Sequence, residues 1–171
     1  MITYQYITYQ DMIKANDYMF QQREEWAALL HHTAECITNR YEESLDLFGK
    51  VWADRDQMNL KVDKNKTPYV QIKALLGEKI MRSEEMHKIA LDSDQMFSFE
   101  IVTAVNPNTI NGIYIYTPIK LILKLKEIEV WIHRMDGACK IPMDGSNKTH
   151  IENSISGHIQ TSVMLAIRAP K

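Results

Sequence analysis

Apolar residues in the first third of the chain fall on one side of a helix. Met19, Leu30, Tyr41 and Trp52 recur every eleven residues, and Trp26, Ile37 and Phe48 repeat the same interval between them. Eleven residues span three turns at about 3.67 residues per turn, so the stripe runs nearly straight along the helix. Residues Met1 to Phe48 include neither glycine nor proline. Thr8 and Asp11 supply a Ser/Thr-x-x-acid cap, which predicts a helix from about Asp11. The phase of the stripe predicts that it passes through Gly49 to Trp52. Ahead of it, the alternation of Ile2, Tyr4 and Tyr6 predicts a short strand.

After a polar connection from Asp54 to Lys66, Thr67-Pro68 reads as a cap followed by proline in the first turn. Ile72, Leu75, Leu76, Ile80, Met86 and Ile89 follow at mostly helical spacing. A second helix to about Leu91 is predicted, with Gly77 marking a close helix crossing, and the two helices would form an antiparallel hairpin.

Past Asp92 the period drops to two. Phe97, Phe99 and Ile101 predict one strand and Ile113 to Tyr116 another. Val130 to Met135, Asp136-Gly137, then Ala138 to Ile141 predict a hairpin, because Asp-Gly suits a tight turn. Ile159, Thr161, Val163, Leu165 and Ile167 alternate and predict a last strand. Pro118 to Glu129 fits either period; its β-branched residues and the hairpin that follows favour a strand. The fold class is therefore α+β: a long N-terminal helical hairpin, residues 1–92, followed by an antiparallel β-sheet, residues 93–171, packed as one unit.

Charge and composition narrow the function. The 171 residues carry a formal charge of −2, so no overall basic field attracts nucleic acid and that role is disfavoured. What basic and aromatic surface exists would use Lys120, Lys124, Lys126, Lys140 and Lys148 with Tyr114, Tyr116 and Trp131, as an RNA- or single-strand-binding sheet would. Cys36 and Cys139 are too few and too far apart for a disulfide framework. No stretch has the length of a membrane span and the first residues lack a signal-peptide layout, so a cytoplasmic protein is expected, or one carried in a particle assembled there.

Candidate chemistry is sparse. Glycine-rich phosphate loops and nucleophile elbows are missing from a chain with six glycines. His31-His32-Thr33 has half of a two-histidine phosphoesterase pattern, without a second half at His150 or His158. A metal-dependent bundle enzyme is the alternative with named ligands: His32 and Glu35 on the first helix, Glu84 and His87 on the second. One Glu-x-x-His element and one reversed version fall short of the usual set. No cofactor is expected. A helix of this length outruns what a small sheet can cover, so the expected function is non-catalytic assembly or adaptor contact. Met19, Trp26, Leu30, Ile37, Tyr41, Phe48 and Trp52 would meet a second copy or a protein partner.

Overall fold

The computed structural model describes residues 6–47, 51–52, 67–106, 113–125, 127–143 and 148–169. A long helix α1, Tyr9–Ser44, opens the fold. Short strands β1, Val51–Trp52, and β2, Thr67–Pro68, pair with each other. Next come β3, Val70–Ala74; β4, Ile80–Met81; a 3₁₀ turn, Ser83–Lys88; β5, Met96–Asn106; β6, Ile113–Lys124; β7, Glu127–Arg134; β8, Gly137–Met143; and a closing helix α2, Lys148–Arg168. The α+β class holds, with the long helix ahead of an antiparallel sheet.

Both ends of α1 follow from local chemistry. The Thr8 side chain accepts from the Asp11 backbone, and the Asp11 carboxylate accepts from Thr8 N–H at 2.9 Å, closing a capping box. At the other end Leu47 N–H donates to Glu42 O and Asp46 N–H to Glu43 O, while Asp46 sits at φ 56. That is a Schellman closure with Asp46 in the left-handed position. The helix therefore stops at Ser44 and does not run on to Trp52, whose backbone belongs to β1. Phe48 and the expected strand pairing of Ile2 and Tyr4 lie outside the described residues.

Six strands form one sheet in the order β4-β3-β5-β6-β7-β8, every neighbouring pair antiparallel. Pro118 to Lys124 lies in β6 and pairs with β7, so the strand reading of this ambiguous segment is the observed one. The hairpin after Val130 also forms. Its turn is Met135-Asp136, with Gly137 at φ 124 pairing back to Arg134, one residue earlier than the expected Asp136-Gly137.

Two expected elements are absent. Thr67 to Leu91 is not a helix: Val70 and Ile72 alternate inward from β3, Leu75 and Leu76 form an exposed turn, and only Ser83–Lys88 coils. Pairing with β4 and β5 satisfies the backbone of this segment on both sides, and that outweighs its helical spacing. Gly77 marks a turn and not a helix crossing; its N–H donates to Ala74 O at 3.0 Å. The segment Ile159 to Ile167 is not a strand but part of α2, where Ile155, Ile159 and Val163 are buried four residues apart. Ile151, half-buried, extends that row.

One core joins all of this. Phe97, Phe99 and Ile101 of β5, Ile119 and Leu121 of β6, and Val130 and Ile132 of β7 point to the same face of the sheet. Leu30, Ala34, Ile37 and Tyr41 of α1 and Ile155 and Ile159 of α2 cover that face. Tyr41 is fixed at its tip by Thr103 Oγ1, 3.0 Å away in the core. No helix among the described residues is long and apolar enough to cross a membrane.

Candidate functional site

The stripe on α1 meets two different environments. Leu30, Ile37 and Tyr41 are at most 1 % exposed, spent on the chain's own core. Trp26 and Leu45 lie at its margin, half-buried. N-terminal to Trp26 the body ends and the helix continues. The last contact is an ion pair from Arg23 Nε to Asp94 at 2.9 Å. From Tyr9 to Gln21 every residue is exposed, and this arm extends for roughly 20 Å at 1.5 Å per residue.

The arm is not polar. Tyr9, Met12, Ile13, Tyr18, Met19 and Phe20 are all exposed, as are Tyr6 and Ile7 just ahead of it. Tyr9, Met12, Asn16, Met19, Arg23, Trp26 and Leu30 are spaced alternately three and four apart, so one seam joins the arm to the buried part of the helix. Ile13 and Phe20 widen that seam on one side. Asp11, Lys14 and Asp17 lie off it. Leaving such side chains in water forgoes roughly 1.5–3 kcal/mol for each one fully buried elsewhere.

At the root of the arm is a cleft of about 310 Å³ lined by Gln22, Trp26, Leu29, Gln95, Leu123 and Leu125. Leu125, in the turn between β6 and β7, is fully exposed and holds a left-handed backbone at φ 47. A branched apolar residue pays for that conformation and gains nothing from solvent there. A second groove of about 420 Å³ lies between the C-terminal halves of the helices, lined by Tyr41, Leu45, Val163, Met164 and Ile167.

The ligands named for a metal do not assemble. Among the described residues no group of three or more His, Cys, Asp or Glu side chains is placed to hold a metal ion. His32 Nε2 meets Cys36 Sγ at 3.6 Å on its own helix, and His87 Nδ1–H donates to Glu84 O at 3.1 Å. Glu35 sits half-buried on α1. His31 holds the fold: Nε2–H donates to Ile89 O at 2.8 Å and the ring meets Phe97 edge-on. Spacing alone did not reveal Glu42, a buried carboxyl pushed up to about 7 by burial and then by Glu84.

The basic and aromatic residues share the outer face of the sheet, opposite the core. Lys120, Tyr116 and Trp131 are there by register, with Lys140 beside them. Their charges are mostly satisfied within the sheet. Lys140 Nζ lies 3.9 Å above the Trp131 ring and Lys73 Nζ 5.1 Å from that of Tyr116. Glu100 pairs with Lys73 at 2.9 Å, and Glu129 pairs with Lys124 at 3.0 Å and accepts from Trp131 Nε1. The donation from Trp131, then that from Lys124, holds the Glu129 carboxyl below the usual range. Lys148 starts α2, away from this face, and Lys126 lies outside the described residues.

What fold and surface define together is an α+β domain with a projecting amphipathic helix. Compared with protein-family models, with curated proteins and with solved structures, the chain matches none.

Proposed function

We propose that this protein is a non-catalytic assembly or adaptor component that docks on another protein chain through the N-terminal arm of α1. The observation that carries the reading is the continuity of the α1 seam. The same stripe that builds the core from Trp26 to Tyr41 continues, uncovered, through Met19 and Met12 to Tyr9. A helix laid against a partner through residues three and four apart is a common recognition mode. The outer face of the sheet supports nucleic-acid binding less well, since its lysines already lie over its own aromatic rings and against its own glutamates.

The test is gel filtration of a native extract from the producing cell, comparing the chain with its Met12→Glu, Phe20→Glu double variant. The unaltered protein should elute in a species larger than its 19.9 kDa, and the variant at that mass with an unchanged circular dichroism spectrum. Elution of the unaltered protein at 19.9 kDa both in the extract and as purified protein at ~100 µM would overturn the reading.

A further inference from the structure

The arm and the cleft at its root are complementary to each other, yet a single chain cannot join them, because the arm points away from its own root. We infer that the occupant is a second copy of this chain, its arm lying antiparallel on the first so that each tip fills the other's root cleft. The inference rests on the arm being the docking surface and names what docks there.

Three observations favour a copy. The first is register. In an antiparallel pair the seam positions interleave, and one alignment sets Tyr9 against Trp26, Met12 against Arg23 and Asn16 against Met19, with Ile13 beside Phe20 of the other copy. Each of these pairings then occurs twice, as a two-fold axis requires, with apolar side chains meeting at Tyr9/Trp26 and Ile13/Phe20. In the same alignment Tyr9, the first residue of the helix, meets Trp26, so the exposed tip with Tyr6 ahead of it falls at the cleft formed by Trp26, Leu29, Leu123 and Leu125.

The second is charge. The positions that would face a copy from Thr8 to Gln22, namely Thr8, Tyr9, Met12, Ile13, Ala15, Asn16, Met19, Phe20 and Gln22, are all uncharged. Arg23, which would lie opposite Met12, is already held by Asp94. Nothing along the seam repels a second arm.

The third is extent. Each arm offers roughly 20 Å of helix and each cleft an apolar lining, set against the roughly 1,000 Å² that a specific interface should clear. A reversible dimer follows, and Leu125 in its left-handed turn would have a contact that accounts for it.

The purified full-length protein decides this by light scattering and cysteine cross-linking with a short bis-maleimide. Mass should rise from 19.9 kDa towards twice that value as concentration approaches the ~100 µM range, and Phe20→Glu should weaken association by tenfold or more. Asn16→Cys should cross-link into dimers. Tyr9→Cys should not, because in the antiparallel pair the two positions are about 25 Å apart. The unaltered chain serves as background, its Cys36 and Cys139 being partly buried. A parallel pair would cross-link at both positions and overturn the inference. A monomer throughout would overturn it too, while leaving docking to a different protein to be judged by the extract experiment.

Discussion

Glu42 shows how a single residue couples this fold to pH. It lies on α1 near the 3₁₀ turn, where Ser83 Oγ donates to Asn39 Oδ1 at 3.0 Å and the Glu84 carboxylate faces it. Burial, then Glu84, raises its carboxyl to about 7 in the folded protein. The folded state thus holds a proton that the unfolded state releases near 4.5. Its contribution to stability is complete below that value, declines as pH rises to about 7, and is flat above. Glu42→Gln, which keeps the shape without the charge, should remove this slope. At pH 8 it should stabilise the protein by about 1–2 kcal/mol, discounted because a charged carboxylate there draws in water. That corresponds to roughly 2–8 °C in Tm for a chain of this size, with little change at pH 4.5, as thermal unfolding at the two pH values would show. No motif exposes a residue like this in the sequence. Its pKa comes from the packing of α1 on a turn that the helical reading of Thr67 to Leu91 did not contain.

At the scale of elements, what could be read was what local chemistry decides. The Thr8–Asp11 cap, the strands of β5 and β6, and the hairpin at Asp136 each depend on residues within a few positions of one another. The two misread segments depend on distant partners. Val70, Ile72 and Ala74 have strand alternation as well as helical spacing, and only β5 beside them selects the strand. In α2, reading the pattern from Gly157 onward hides the row Ile151, Ile155, Ile159, Val163, which starts before the glycine and has period four. Gly157 is now a direct probe. It sits inside a helix with nothing within 4 Å of where a Cβ would be. Gly157→Ala should therefore stabilise the protein by about 0.5–1 kcal/mol in urea unfolding, since the added methyl meets no neighbour. Leu125 gives the opposite pairing of effects. Leu125→Gly relieves a left-handed branched residue and should raise the stability of the separated chain by roughly 0.5–1 kcal/mol, while weakening association measured by light scattering.

For the whole molecule, the seam of α1 was readable but its division was not. Met19, Trp26, Leu30, Ile37 and Tyr41 were all expected at a partner surface, yet three of them are core and the exposed part of the seam begins N-terminal to Trp26. The sheet sets that boundary, since β5, β6 and the turn at Leu125 reach no further along the helix. A helix of 36 residues, roughly 54 Å long, extends past a sheet that covers only its C-terminal part. The account's central claim is that this arm touches another protein chain. The most direct measurement places p-benzoylphenylalanine, a larger aromatic that the exposed Phe20 site accommodates, at position 20 in the protein as produced in its own cell, and reads the photo-adducts by mass. The account predicts an abundant adduct at position 20, of twice the chain's mass if the arms pair. The same probe at position 140, on the outer face of the sheet, should give far less. No adduct at position 20, with efficient cross-linking at position 140, would contradict it.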